Sequence, residues 1–405
     1  MKDSSGFDFK KWNTQGKYNF FNKTRLIWII LPLLFFFHIH FLPVALYSSL
    51  SYCYASEWKQ AIGHRMWEFP KDHGSHPEYR TEWWYFTGNL SDETQARYGY
   101  QLTFFRHSLK KMPQQTDKNH KTYPWIVDDV YLAHFTITDI QNKRFWFTER
   151  TSRKGPGLAY AATDRMDIRL LNWKAIMKKN RIFIKAGHQG MEIDLELTPE
   201  KPVVLHGKDG LSMKGETQGQ ASYYYSFTRL KTKGFIKTPL SKKSVRVNGT
   251  SWFDHEFGSN QLSSEQEGWD WFSLHLSDGR DLMIYLLRKK DGSVEGASSG
   301  TIVEKDGTSR HLALSLINIQ VLNKWISPKT KGTYPNRWHI KVPAAQIELT
   351  IYPLMDGQEL ITDASTRIIY WEGAVEGKGM SKNKPVIATG YVELTGYAGS
   401  LGGVF

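Results

Sequence analysis

The four residues Glu82-Trp83-Trp84-Tyr85 place a carboxylate inside the densest aromatic group of the sequence. Alternate residues of a β-strand point to opposite faces, so Glu82 and Trp84 share one face and Trp83 and Tyr85 share the other. Such rings can line a cavity, hold an isoprenoid chain and stabilise a carbocation through their faces, or they can be ordinary core. A carboxylate among them must be paired, exposed or protonated, which makes Glu82 a candidate catalytic residue.

A second segment, Asn248 to Gly258, carries Asp254, His255 and Glu256 within an apolar strand pattern. Alternation puts Asp254 and Glu256 on one face and His255 on the other. Two neighbouring carboxyl groups can share a proton, which raises one pKa toward neutrality as a general acid requires. His255 is an alternative proton carrier. All three are candidate catalytic residues, and the competing interpretation is a hydrogen-bonded structural cluster at the junction of two domains.

Other kinds of chemistry have weaker signals. A metal site would join His255 to Glu256 or His134, but no regular ligand spacing such as H-E-x-x-H occurs. His73 and His76 are expected at the surface of a loop. Glycine-rich phosphate loops and dinucleotide fingerprints are missing, so we predict neither a metal nor a cofactor.

The chain after residue 80 has the pattern of an all-β protein, because short β-branched and aromatic runs alternate with Gly, Asn, Asp and Lys. Glu82 to Asp92 matches Gly268 to Asp278 at an offset of 186 residues, with five of eleven positions identical. A repeat at this distance indicates two similar domains. We expect two tandem antiparallel β-barrels, each with an interior able to hold an apolar ligand; two filled sandwiches are the alternative.

The Lys-, Gly- and Ser-rich stretch Lys233 to Lys243 predicts the boundary between these domains. The expected division is a leader at residues 1–55, an N-terminal domain at 56–240 and a C-terminal domain at 241–405.

The leader has the layout of an export signal, with a basic stretch before an apolar run from Leu26 to about Leu50. Cys53-Tyr54-Ala55 is a small-x-small pattern that predicts cleavage after Ala55, and an uncleaved membrane anchor is the alternative. Either way the protein is expected to be exported, in the periplasm or anchored facing it. Cys53 is the only cysteine, so the mature chain has no disulfide.

The formal net charge is +13, of which residues 1–55 contribute +4 from six Lys or Arg and two Asp. The remaining +9 favours a solvated basic surface, because no Lys/Arg cluster accompanies a nucleic-acid-binding motif. We therefore expect no nucleic-acid partner.

Several longer motifs are distinctive: Phe69 to Glu78, Thr81 to Tyr85, Ala221 to Ser226, Trp252 to Gly258, Gly268 to Trp271, Tyr370 to Gly373 and Gly390 to Tyr397. With these motifs the chain resembles the AttH-like branch of the carotenoid 1,2-hydratase (hydroxyneurosporene synthase) family, from about residue 65 to residue 400. The resemblance implies two lipocalin-like domains, a description as a secreted hydrolase, and association with an ABC-type transporter permease.

The hydratases of that family add water to the terminal double bond of an acyclic carotenoid without a cofactor. The resemblance assigns their His and following aromatic residue to His255 and Phe257. Their Tyr-x-Asp pair corresponds best to Tyr285-Leu286-Leu287, which lacks the acid, and this departure argues against carotenoid hydration itself.

Two functions follow from these observations. One is a hydro-lyase that adds water to a C=C bond of an isoprenoid or lipid-like molecule by acid catalysis. The other is a non-enzymatic periplasmic carrier that hands such a ligand to the transporter. The candidate ligand-binding residues are the same for both: Trp83, Trp84, Tyr85, His134, Tyr225, Trp252, Trp269, Trp271 and Tyr285. We expect Asp254, His255 and Glu82 to border one largely apolar cavity together with aromatic rings from the two repeats.

Overall fold

The computed structural model describes residues 58–109 and 127–401. Apart from three one-turn 3-10 helices, at Lys71–His73, Leu314–Leu316 and Pro343–Ala345, the regular elements of these residues are β-strands. Within the described part of the chain no helix is long and apolar enough to cross a bilayer. The predicted leader, with Cys53 and its cleavage pattern, lies outside the described residues.

The first sheet has thirteen antiparallel strands. They are β1 (Thr81–Asp92), β2 (Arg97–Ser108), β3 (Asp129–Asp139), β4 (Arg144–Arg153), β5 (Ala159–Ala161), β6 (Asp167–Leu170), β7 (Trp173–Lys178), β8 (Arg181–His188), β9 (Met191–Pro199), β10 (Val204–Leu205), β11 (Leu211–Met213), β12 (Ala221–Lys237) and β13 (Val245–Asn260). Their order is β4-β3-β2-β1-β13-β12-β9-β8-β7-β6-β5, with β10 and β11 paired to β12.

The second sheet has ten strands. They are β14 (Gln266–Leu276), β15 (Asp281–Lys289), β16 (Ser299–Val303), β17 (Ser309–Ala313), β18 (Asn318–Ile326), β19 (Thr333–Val342), β20 (Ile347–Pro353), β21 (Glu359–Ile361), β22 (Ile369–Ser381) and β23 (Lys384–Thr395). Their order is β17-β16-β15-β14-β23-β22-β20-β19-β18, with β21 paired to β22.

The two sheets share one topology. In each, four consecutive strands form a meander, and the first of them also pairs with the last strand of the sheet: β1 with β13, and β14 with β23. Each sheet is curled into a near-barrel. The predicted all-β, two-barrel lipocalin-like architecture is confirmed, and the repeated hairpins β1–β2 and β14–β15 lie in separate sheets.

The predicted boundary near Lys233 to Lys243 does not coincide with the point where the chain passes from the first sheet to the second. This stretch covers the end of β12 and the turn that leads to β13, and both strands belong to the first sheet. The Lys-rich composition marks an exposed hairpin end, while Ile236 and Val247 point into the core of the first sheet. The chain passes to the second sheet between Asn260 and Gln266.

Both faces of the central strands are buried. Trp84 and Phe86 of β1 belong to the core inside the first sheet, and Phe272 of β14 belongs to the core inside the second. Tyr85 and Trp271 belong to a third apolar cluster, which combines residues of both sheets. The strands of the repeat therefore contribute one face to the interior of their own sheet and the other face to the space between the sheets.

Candidate functional site

A cleft of about 930 Å³, including the part that opens to solvent, lies between the two sheets. Four acidic side chains reach it, two from each sheet. Its aromatic lining includes Trp83, Tyr85, Tyr224, Trp269, Trp271 and Tyr285.

Strand register places the acidic and aromatic residues of the first sheet side by side. Tyr224, Glu256 and Trp83 are consecutive partners across β12, β13 and β1. Asp254 pairs with Tyr85 one step further along the same face. The alternation seen in the sequence therefore brings Asp254 and Glu256 to the cleft with two rings of the first repeat.

The second sheet contributes an equivalent row. Glu372 of β22 is the register partner of Glu393 on β23, and Glu393 is in turn the partner of Trp271 on β14. Tyr285 of β15 completes the row beside Trp271. Two adjacent strands thus present two carboxyl groups to the cleft, next to rings of the second repeat.

Asp254 is held by three donors. Tyr224 donates its hydroxyl proton to Oδ2 (2.8 Å), Trp252 donates Nε1–H to Oδ1 (2.6 Å), and the hydroxyl of Ser226 donates to Oδ1. Trp271 Nε1–H donates to the Tyr224 oxygen (3.1 Å). Burial raises the pKa of Asp254 to about 7, although these donors act in the opposite direction.

Glu256 forms a buried ion pair with Lys214 (Nζ to Oε1, 2.9 Å) and accepts a hydrogen bond from Ser222. The Lys214 ammonium also lies 4.3 Å from the centre of the Tyr285 ring. Burial alone would lower the pKa of Lys214, but the attraction and hydrogen bond of Glu256, together with attraction to Tyr285 and Asp254, outweigh it and the pKa is raised. This corner of the cleft is a neutralised pair of charges.

The acids of the second sheet are less well compensated. Trp269 Nε1–H donates to Glu393 Oε2 (3.0 Å), and burial raises the pKa of Glu393 to about 7. Within the described residues neither carboxyl oxygen of Glu372 has a hydrogen-bond partner. Burial first, then repulsion by Glu393, raises the pKa of Glu372 well above its ordinary value. The Tyr85 hydroxyl acts in the opposite direction and lowers the pKa of Glu372, but it does not form a hydrogen bond of good geometry with the carboxyl group.

Glu82 lies on the other face of β1, inside the first sheet. Its Oε1 is 2.8 Å from His76 Nδ1 and 2.9 Å from His255 Nε2, and its Oε2 accepts from Arg106 Nε (3.0 Å). Burial would raise the pKa of Glu82, but His255, His76 and Arg106 together hold it well below its ordinary value. Glu82 is therefore the ionised centre of a closed polar network.

His73 and His76 are buried, and the prediction that they lie at the surface is wrong. His76 stacks on Phe257 with ring centres 3.6 Å apart, and its Nε2 is 3.1 Å from Asp72. His73 Nδ1 is 2.7 Å from the hydroxyl of Tyr225, and burial lowers the pKa of His73 to about 3. The reason is the packing of this segment onto the aromatic side chains of β12 and β13.

His76, Glu82 and His255 offer three possible metal-ligand atoms within 4.8 Å of one another. Each of these atoms already takes part in the network around Glu82, and Arg106 adds a positive charge to the same carboxylate. A cation would have to displace these contacts, so the donor set fits an ion-pair network better than a metal site.

The predicted common cavity for Glu82, His255 and Asp254 is wrong, because strand alternation puts Asp254 on the opposite face from the other two. Trp84 and Tyr225 lie with Glu82 inside the first sheet. Of the remaining predicted residues, those that line the cleft are Glu256, Trp83, Tyr85, Trp269, Trp271 and Tyr285.

Two predicted residues stand behind the cleft. Trp252 donates to Asp254, as described above, and His134 Nδ1 lies 2.7 Å from the hydroxyl of Tyr370, which lines the cleft. Burial lowers the pKa of His134 to about 3, so its ring is neutral. Both residues position cleft side chains.

Sequence reasoning missed Glu372, Glu393, Tyr224 and Lys214 as site residues. The two glutamates carried the same signal as Asp254, a lone acid in an apolar alternating strand, and this signal could have identified them. Lys214 lies just beyond β11 in a polar stretch, where nothing distinguishes it from a surface lysine.

Gly296-Ala297-Ser298-Ser299-Gly300 has the G-x-S-x-G spacing of serine hydrolases. Ser298 is buried and its Oγ accepts a hydrogen bond from the Leu287 amide (2.9 Å). It lies between strands β15 and β16 rather than at a strand-to-helix turn, so it does not form a nucleophile elbow.

Known proteins share this architecture. An AttH protein of Nitrosomonas europaea is similar in structure, with a TM-score of 0.73 and 32% sequence identity over 84% of this chain and 99% of that one. Kievitone hydratase from Nectria haematococca has a TM-score of 0.62 at 14% identity, over 85% of this chain and 97% of that one. A search of curated protein sequences gave no match.

The profile of the AttH-like family matches residues 60–397, which span both sheets and every acid of the cleft. The motifs noted in the sequence fall within this range and supply the strands that form the cleft. From its sequence motifs, its two lipocalin-like sheets and this match, the chain belongs to the AttH-like family.

Proposed function

We propose that this protein is a hydratase-type enzyme that adds water across a C=C bond of an apolar, isoprenoid-like molecule held in the cleft between the sheets. The observation that carries the proposal is the meeting of four carboxyl groups with aromatic rings in one largely apolar cleft. Two of these groups, Asp254 and Glu393, have pKa values near 7, where an acid can both give and take a proton.

The reaction needs no oxidant or reductant. A carboxylic acid of the cleft protonates one alkene carbon, which leaves a tertiary cation on the neighbouring carbon. Ring faces such as those of Trp83 and Trp271 stabilise this cation. Water attacks it, and its surplus proton passes to a carboxylate of the cleft, so the product is the tertiary alcohol.

Two further points support this reaction class. Kievitone hydratase, which shares the fold, is by its name a hydratase. The second point is that the cleft has carboxyl groups beside Tyr285 even though Leu287 stands where the carotenoid hydratases have the Asp of their Tyr-x-Asp pair. Glu372 and Glu393 supply carboxyl groups to the same row of the cleft, next to Tyr285 and Trp271. We therefore propose an acyclic isoprenoid as the substrate class.

The test is an assay of the purified protein with a set of acyclic isoprenoid alkenes in oxygen-18 water, followed by mass spectrometry. We expect a tertiary alcohol that carries one labelled oxygen. A Trp271→Ala variant, which removes a ring of the cleft, should lose binding and turnover together. Heat-inactivated protein controls for hydration in solution.

The alternative is a carrier for the same class of ligand. A carrier would co-purify with intact alkene and release it unchanged in labelled water, and this result would overturn the enzymatic proposal. We further propose that the protein acts outside the cytoplasm and that, as a carrier, it would serve an ABC-type transporter permease; both proposals are supported by the leader and the family resemblance alone. N-terminal sequencing of protein from an exported fraction tests the first.

A further inference from the structure

Glu372 stands apart from the other acids of the cleft. It is 1% exposed, it lines the cleft, and within the described residues neither of its carboxyl oxygens has a hydrogen-bond partner. An ionised carboxylate in such a place would lose its hydration with little compensation from the poorly aligned Tyr85 hydroxyl, at a cost of several kcal/mol. The neutral acid avoids most of this cost.

Its neighbour Glu393 strengthens the same tendency. The two are register partners on adjacent strands, and partners in a sheet have Cβ atoms about 5 Å apart. Two carboxyl groups at this distance in an apolar site do not ionise together, so the pair holds at least one proton near neutral pH. The Trp269 indole donates to Glu393 and favours the charge there, which leaves the proton on Glu372.

The two acids of the first sheet are differently equipped. Asp254 accepts from Tyr224, Trp252 and Ser226. Glu256 is neutralised by Lys214. Both arrangements favour the ionised form, whereas the surroundings of Glu372 favour the neutral acid, so Glu372 is the group that carries a proton into the resting cleft.

The geometry points to Glu372 as the proton donor of the reaction and to Glu393 as the partner that shares its proton. This inference rests on the proposed hydratase function. It goes further in assigning the acid to the second sheet, away from the Asp254-His255-Glu256 motif of the first.

The step balances without another reactant. Glu372 transfers its proton to the alkene carbon as the π electrons form the new C–H bond, and the second negative charge of the pair is balanced by the cation formed on the neighbouring carbon. Two adjacent carboxylates are a stronger base than either alone. Water forms the C–O bond to the cation, and its surplus proton returns to the pair, which restores the starting acid.

The test compares the full-length wild type with Glu372→Gln, Glu393→Gln and a matched control, Glu376→Gln. Glu376 lies on the same strand, outside the cleft, in a partly exposed pair with Arg97. We expect Glu372→Gln to lose turnover by about 100-fold or more while ligand binding, followed by quenching of tryptophan fluorescence, changes by less than about threefold. Glu376→Gln should match the wild type in both.

A second measurement does not depend on turnover. Infrared spectra at about pH 8 should show the C=O stretch of a buried neutral carboxylic acid, because an ordinary glutamate is fully ionised there. The band should disappear in Glu372→Gln and persist in Glu376→Gln. In Glu393→Gln the turnover should fall less than in Glu372→Gln, and its decline with rising pH should shift, because the neighbouring charge is gone.

The outcomes separate the two proposals. A wild type that binds isoprenoids but never adds labelled water overturns the hydratase function and the donor role with it. Turnover that survives in Glu372→Gln, or a wild type with turnover but no such band, overturns only the assignment of the acid and leaves the hydratase proposal standing.

Discussion

Asp254 shows how a well hydrogen-bonded carboxyl group can still titrate near neutrality. Its three donors favour the charged form, yet complete burial in an aromatic cleft opposes the charge more strongly. The pKa rises from 3.8 to about 7. The group therefore remains neutral in the folded protein at pH values where it is ionised in the unfolded chain.

This difference predicts a pH-dependent stability. A raised folded-state pKa contributes stability that is complete below pH 3.8 and is lost as the pH rises through about 7. Asp254→Asn cannot ionise, so the wild-type advantage over this variant should shrink with rising pH, by about 4 kcal/mol at most. Urea unfolding of both proteins between about pH 4 and pH 8 measures this change. A difference that stays constant over the range would contradict the assignment.

Glu82 behaves in the opposite way, although both acids were singled out by the same sequence reasoning. Its partners His255, His76 and Arg106 keep it ionised. Sequence could identify a carboxylate in an aromatic strand that needs a partner. It could not identify the partner, because Arg106 comes from the neighbouring strand and His76 from a loop whose packing has no sequence signal.

At the scale of strands, alternation predicted correctly which residues share a face but not which cavity each face meets. In a barrel with one wet face, the apolar side identifies the interior. Strand β1 is buried on both sides, since Trp84 points into its own sheet and Tyr85 toward the other. Because both faces are apolar, the pattern does not show which face meets the interior of the sheet and which meets the cleft. For this reason the prediction of one common cavity for Glu82, His255 and Asp254 was wrong.

The turn between β21 and β22, residues 362–368, forms a strap over the edge of the cleft. Thr366 and Ile368 line the cleft, while the Ser365 hydroxyl lies 2.8 Å from His134 Nε2 and also bonds Glu149. The strap thus belongs to the second sheet but is fastened to β3 and β4 of the first.

Loosening this fastening should change ligand exchange more than stability. We expect Ser365→Ala to increase the rate of ligand release several-fold, because each lost hydrogen bond is worth about 1 kcal/mol. Stopped-flow fluorescence with a bound isoprenoid measures the rate. Ser293→Ala, which removes an exposed turn hydroxyl outside the lining of the cleft, is the control. Equal release rates in the two variants would show that the strap does not hold the ligand.

At the scale of the whole molecule, the most buried ion pairs between the sheets, among the described residues, are those of Asp281 on β15. It pairs with Lys201 (2.7 Å), which lies just after β9, and with Arg229 (2.6 Å) on β12, and it is fully buried. A more exposed link joins Arg97 to Glu376 (2.9 Å). The sheets are therefore tied by charges in two very different environments.

These two links predict unequal effects. Asp281→Asn leaves two cations without their anion and should cost about 3–5 kcal/mol. Arg97→Gln should cost at most about 1 kcal/mol, because its pair is screened by water. Unfolding followed by both tryptophan fluorescence and circular dichroism should stay a single transition in each variant. Two separated transitions in the wild type would show that the sheets unfold independently.

The pairing of β1 with β13 also dictates when the cleft can exist. Thr81 on β1 pairs with Gly258 on β13, so the first strand of the first sheet has no partner until β13 has been synthesised. In the second sheet, Asp270 on β14 pairs with Leu394 on β23, which is synthesised last. At about 5–20 residues per second, translation leaves these tryptophan-bearing strands with an open edge for many seconds. In each sheet the pairing of the first strand with the last strand is therefore the last to form. Glu393 lies on β23, the strand that completes the second sheet. A nascent chain stalled before β23 would therefore be unable to bind ligand and prone to aggregate through its unpaired strand edges.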